Sequence, residues 1–142
     1  MKKLGIIGAM EEEVARIKDA MTEVQITERA SLTFYEGKLN GLPVVVVRSG
    51  IGKVNAALCT QQLVDLFGID AVINTGIAGS LNAKIDIGDI VLSTDALEHD
   101  MVAVAFGYDV GVIPRMDTSV FVADEALRTL AATVCAQVNP EV

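Results

Sequence analysis

The sequence predicts an α/β fold of three layers, with helices on both faces of a central mixed, largely parallel sheet. Three observations carry this expectation. Apolar runs of strand length occur at Leu4–Ile7, Val44–Val47 and Asp70–Asn74. Stretches of helical period alternate with them. Asn40-Gly41 joins two strand-like runs as a hairpin turn, because both of its residues tolerate positive φ.

Leu4–Ile7, closed by Gly8, reads as a strand covered on both faces. Met10, Val14, Ile17 and Met21 then draw one stripe on a helix, with Glu12 and Arg16 as an i,i+4 pair on another face. From Glu23 the pattern alternates, Val24 and Ile26 against Gln25 and Thr27, and continues through Leu32–Leu39 to the Asn40-Gly41 turn and the strand ending at Val47. A helix from about Lys53 to Phe67 is expected to turn Ala56, Ala57, Leu63, Val64 and Phe67 inward and to stop at Gly68. Asp70–Asn74 is the next strand, and Asp89–Ser93 reads as a further buried one. A long irregular stretch, Thr94–Val120, holds His99, Phe106, Tyr108 and Pro114. The last helix starts at Asp124 as N-cap, carries Leu127, Leu130, Ala131, Val134 and Val138 on one face, and ends at Asn139-Pro140.

Length and charge narrow the function. A chain of 142 residues is expected to fold as a single domain, 1–142, burying roughly 68–70% of its unfolded surface. No repeat, low-complexity tract or linker interrupts it. With 11 Lys and Arg against 19 Asp and Glu, the net charge is −8; this disfavours nucleic acid and anionic membranes, which need clustered cations. Mean hydropathy is high at +0.47, yet no apolar run reaches the roughly 18–20 residues of a membrane span, so the apolarity is expected in a core or an interface. Glu11, Glu12 and Glu13 arrive too soon after Met1 for a signal peptide. Cys59 and Cys135 lack metal or redox spacing and read as buried, reduced thiols of a cytosolic protein. The one histidine, His99, excludes a multi-histidine metal site.

In open α/β sheets ligands bind where strands end at their carboxyl edge. Gly8–Glu13, Ser49–Lys53 and Thr75–Gly79 are the candidate loops. They fail nucleotide fingerprints, since Asn55 stands at the third glycine of GxGxxG, and a Walker A reading puts Val47 and Val54 at its required Gly and Ser/Thr. The three glutamates complement a helix dipole. Glu13 also lies at the edge of the inward stripe, where a carboxylate could act as general base on a water. The glycines serve either as tight turns or as room for a ligand, and His99-Asp100 either as a structural pair or as a dyad.

Leu4-Gly5-Ile6-Ile7-Gly8-Ala9-Met10-Glu11-Glu12-Glu13, Ser49-Gly50-Ile51-Gly52-Lys53-Val54-Asn55-Ala56-Ala57, Asn74-Thr75-Gly76-Ile77-Ala78-Gly79, Gly88-Asp89-Ile90-Val91 and Ala105-Phe106-Gly107-Tyr108 occur in this order. Together they resemble the 5′-methylthioadenosine/S-adenosylhomocysteine nucleosidase family of the nucleoside phosphorylase superfamily. The resemblance implies a nucleoside phosphorylase-like fold and a cytoplasmic homodimer acting in methionine salvage. It implies hydrolysis of the N-glycosidic bond to adenine and a 5-thio-substituted ribose, with no metal or organic cofactor. Matched residue by residue, Glu13 activates the attacking water. Ala9, Met10 and Ile51 lie around ribose and water, and Ile77, Ala78 and Gly79 around adenine. Phe106 and Pro114 reach across the dimer to the partner's thioalkyl pocket.

Some positions depart from the family pattern. Ile77 stands where serine is common, and Val102 and Val104 where polar residues are usual. Family members also continue past residue 142, into segments holding a ribose-binding glutamate and a general-acid aspartate whose motifs do not occur here. The expectation is therefore an N-terminal portion of the family fold, incomplete at its C-terminus. Two alternatives stand beside hydrolysis: a non-catalytic fragment that binds adenine or dimerises, and a phosphorylase, for which Arg48 and Lys53 are the nearby cationic candidates.

Overall fold

Leu4–Gly8 forms β1, and all five of its residues are buried, as befits a strand covered on both faces. The computed structural model describes residues 2–138. After β1 come α1 (Glu11–Asp19), β2 (Thr22–Arg29), β3 (Leu32–Leu39), β4 (Leu42–Arg48), α2 (Lys53–Phe67) and β5 (Ala71–Asn74). These strands form one mixed sheet in the order β2-β3-β4-β1-β5. β1 runs parallel to both β4 and β5, whereas β2–β3 and β3–β4 are antiparallel.

Strand alternation sorts the core into two layers. Leu4, Ile6, Val44 and Val46 pack with Val14 and Ile17 of α1. Ile7, Val45, Val47 and Phe34 pack with Cys59 and Leu63 of α2. The helices thus cover opposite faces of the sheet. Phe34 closes the second layer against Phe67, with ring centroids 5.0 Å apart.

α1 follows its expected phase, although it ends at Asp19, and Met21 is buried just beyond it. Its ion pair joins Glu11 to Lys18, not Glu12 to Arg16. Lys18 sits 4.5 Å over the Tyr35 ring, which draws its ammonium toward the sheet side and two turns back to Glu11. α2 stops at Gly68, in the left-handed region at φ +57°. Its expected inward stripe needs correction, for Val64 is 49% exposed and Ala57 is exposed too. Leu63 is buried as expected, and its buried companion is Cys59. Apolar residues lie on several sides of this helix, with Val54, Leu58 and Leu66 exposed, so sequence period alone does not single out the face that packing selects. Burial pushes the Cys59 thiol up to about 11, leaving it inert near neutral pH; Cys135 is half-buried.

The described residues divide between Gly79 and Ser80 into two compact units. The second contains β6 (Asp95–Leu97) and β7 (Val120–Val122), paired antiparallel as a separate ribbon, a 3-10 turn at Val104–Phe106, and α3 (Glu125–Val138). The expected buried strand at Asp89–Ser93 is not formed: Ile90 and Val91 are 58% and 65% exposed. No neighbouring strand ladders with that segment among the described residues, and a strand without a ladder leaves its amides to water. The pairing occurs just beyond it, so Thr94–Val120 is not irregular throughout. Asp124 caps α3 as expected, its Oδ1 accepting the Leu127 N–H at 2.8 Å. Leu130, Val134 and Val138 of α3 are exposed, and Asn139-Pro140 lies outside the described residues. No helix among the described residues is long and apolar enough to cross a membrane.

Candidate active site

Because β1, β4 and β5 are parallel and adjacent, their carboxyl ends share one edge, with Ile7 opposite both Val47 and Asn74. The three glycine-bearing loops leave from there. Their first residues prolong the ladder: Ser49 donates its N–H to the Gly8 carbonyl and Thr75 to the Ile7 carbonyl, both at 2.9 Å. Ser49 is buried, and its hydroxyl donates to the Gly50 carbonyl at 3.0 Å. Gly8 allows α1 to start close to the sheet, since a Cβ there would lie 2.7 Å from Val14 Cγ1 and 3.0 Å from Glu13 Cβ.

All three glutamates fall in the first turn of α1, where the dipole favours them. Glu11 and Glu12 are exposed, whereas Glu13 is half-buried and turned toward the sheet edge. Its Oε2 accepts the Met10 N–H at 2.9 Å. Its Oε1 accepts the Ile77 N–H, from the loop after β5, at 3.0 Å. Glu13 thus supplies the carboxylate half of a capping box and also ties α1 to a second loop. Hydrogen bonds to the ionised form, Met10 first and Ile77 second, hold its carboxyl below the ordinary glutamate range despite some opposing desolvation. Each oxygen keeps a lone-pair direction after receiving its amide. The result is a fixed, ionised acceptor at the strand edge, suited to orient and deprotonate a water.

Of the residues expected from sequence, Ala9, Met10, Glu13 and Ile77 come together around these contacts. Ala9 and Met10 are half-buried, and Ile77, Ala78 and Gly79 are exposed. Ile51 is 74% exposed, its carbonyl accepting the Asn55 side-chain amide at 2.7 Å. In the second unit Phe106 is 83% exposed, Pro114 is half-buried, and His99 is exposed in the turn after β6. In the sequence Ser49 reads only as part of a turn, and nothing marks the Ile77 amide beyond a glycine-bearing loop after a strand. No three of the described His, Cys, Asp and Glu residues group so as to hold a metal ion.

A family model described as the Phosphorylase superfamily matches residues 3–142. The 5′-methylthioadenosine/S-adenosylhomocysteine nucleosidase of Colwellia psychrerythraea is 52% identical over 112 residues, covering 79% of this chain and 46% of that protein. The Treponema pallidum nucleosidase is 50% identical over 127 residues, covering 89% of this chain and 47% of that protein. The chain spans about half the length of these curated relatives. Among solved structures, the Colwellia psychrerythraea nucleosidase in complex with adenine superposes with a TM-score of 0.92 at 44% identity, covering 99% of this chain and 57% of that one. The Neisseria meningitidis nucleosidase in complex with methylthio-immucillin-A gives 0.93 at 37% identity, covering 100% and 61%. The mixed sheet flanked by helices is accordingly the nucleoside phosphorylase-like fold. The chain belongs to the Phosphorylase superfamily, and the relatives that it matches along most of its own length are 5′-methylthioadenosine/S-adenosylhomocysteine nucleosidases.

Proposed function

We propose that the protein hydrolyses the N-glycosidic bond of 5′-methylthioadenosine and S-adenosylhomocysteine, releasing adenine and the 5-thio-substituted ribose. The observation that carries this reading is the Glu13 carboxylate, pinned by the Met10 and Ile77 amides at the shared strand edge. A water held by Glu13 attacks the anomeric carbon of a sugar with oxocarbenium character. The C–O bond forms as the C–N bond breaks, the water proton passes to Glu13 and on to solvent, and the bond pair leaves with the purine, which takes up a proton from solvent. Ala9, Met10 and Ile51 line the ribose and water, while Ile77, Ala78 and Gly79 line the base. The ligands of the related structures, adenine and methylthio-immucillin-A, support a purine nucleoside as substrate. Phe106 and Pro114 reach across a homodimer to the partner's thioalkyl pocket, a role that suits an exposed aromatic. The setting is methionine salvage in the cytoplasm.

The test incubates the protein with methylthioadenosine, with and without phosphate, and follows adenine and the sugar. Adenine with unphosphorylated sugar supports hydrolysis. A phosphate requirement would replace hydrolysis by phosphorolysis, the role for which Arg48 and Lys53 are the candidates. The share of the relatives' length that the chain spans favours a second reading for residues 1–142 taken alone, as a non-catalytic unit that binds adenine or dimerises. Adenine binding without turnover by that polypeptide is its signature, and turnover at the rate of a full-length relative would exclude it.

A further inference from the structure

The Glu13 carboxylate reaches the loop after β5 at one point, and the residue under that point is Gly76. A Cβ built on Gly76 would lie 2.3 Å from Glu13 Oε1, 2.7 Å from Cδ and 3.0 Å from Oε2. These three nearest atoms all belong to one side chain, and all are at or inside the limit that real Cβ atoms respect. Gly79, in the same loop, has nothing within 4 Å of its Cβ position, so the crowding is specific to Gly76. The next amide along, Ile77 N–H, is the one that holds Oε1.

We propose that Gly76 is a positioning residue for Glu13: the volume left by its missing side chain is where the carboxylate sits, and without it the carboxylate cannot reach the Ile77 amide. Gly8 flanks the same side chain from β1, with its own Cβ position 3.0 Å from Glu13 Cβ. The carboxylate side chain is therefore seated between Gly8, the last residue of β1, and Gly76, in the loop after β5, and its place depends on the 75–79 loop as much as on α1. An alanine at Gly76 leaves the backbone amides where they are and pushes the flexible end of Glu13 off them. The carboxyl then loses the Ile77 hydrogen bond, which favours its charged form, and loses its aim at the water. Displacement of a reacting group by about 1 Å is enough for a loss on the order of 10²-fold in rate.

The proposal deepens the nucleosidase reading, but its decisive test does not need activity. The thermal midpoints of the protein, G76A, E13A and E13A/G76A form a cycle. Any backbone cost of alanine at φ +159° is common to both backgrounds and cancels, leaving the contact with Glu13. G76A is expected to lower the midpoint distinctly more when Glu13 is present than in the E13A background. Equal lowering in both, or an E13A/G76A protein that does not fold, would overturn the proposal. In folded G76A, the Glu13 carboxyl, followed by carbon-13 NMR and assigned by its absence in E13A, is expected to titrate higher than in the parent, while G79A leaves it in place; an unmoved G76A titration would also overturn it. If no form turns over methylthioadenosine, the nucleosidase reading fails while the cycle and the titration still decide the role of Gly76.

Discussion

Glu13 does two jobs with one carboxylate: it closes the start of α1 and it presents an ionised oxygen at the strand edge. Glu13→Gln separates them. Glutamine keeps the length but offers one acceptor oxygen and no basic form, so turnover is expected to fall by about 10²–10⁴-fold, while a substrate analogue still binds. Steady-state kinetics beside calorimetric binding checks this, and activity close to that of the parent would remove Glu13 from the mechanism. The same carboxylate couples stability to pH. Its folded pKa is depressed by the Met10 and Ile77 amides, so its contribution is fully present above the unfolded value of about 4.3 and is lost as pH falls through the lower folded value. Asp70 behaves alike, its Oδ2 accepting the Lys3 and Lys2 amides, both at 2.7 Å. Thermal midpoints recorded from pH 7 down to pH 3 are expected to fall less steeply in E13Q than in the parent. Glu13 was legible in the sequence because helix phase alone sets it apart from Glu11 and Glu12. Its partner amide was not, because Ile77 is 64 positions away and no local pattern links the two.

The two hairpins of the antiparallel half use the same backbone twist with different residues. Asn40 and Gly41 have φ of +49° and +82°, and Ala30 and Ser31 have +46° and +65°. All four lie in the left-handed region that matches the right-handed twist of the flanking strands. Asn-Gly suits it, whereas alanine and serine bear a cost of about 1–2 kcal/mol per residue there. The double change Ala30→Asn with Ser31→Gly is therefore expected to stabilise the protein by about 1 kcal/mol or more, read from urea unfolding at equilibrium; no gain would mean that the turn relaxes in solution. This pair also shows why one turn is legible in the sequence and the other is not. Turn chemistry is written in residue types only when the residues suit the turn. Val44–Val47, by contrast, was plain, since a run buried on both faces needs nothing beyond its own apolarity. Asp89–Ser93 has comparable apolarity and failed as a strand, because a ladder requires a neighbour that no residue within the run can supply.

Across the molecule, both core layers lie within the first unit, from Leu4 to Val72, and there local pattern and tertiary packing agree. The fold class was legible for that reason. The high hydropathy was less so: Leu130, Val134 and Val138 carry it to exposed positions rather than into the core. The strand order has a consequence in time. β2, β3 and β4 are joined by tight turns, and such hairpins close in about 1–10 μs. β1 is made first, yet it sits between β4 and β5, with Leu4 opposite both Val44 and Ala71, so its placement waits for the two slowest closures of this sheet. In pulse-labelled hydrogen exchange during refolding, the β3–β4 amides are expected to gain protection before the amide of Ile77, and simultaneous protection would contradict this order. On the ribosome the same rule means that Glu13 is synthesised early and stays unseated until the chain has passed Ile77, so the carboxylate takes its place only after its supporting sheet exists.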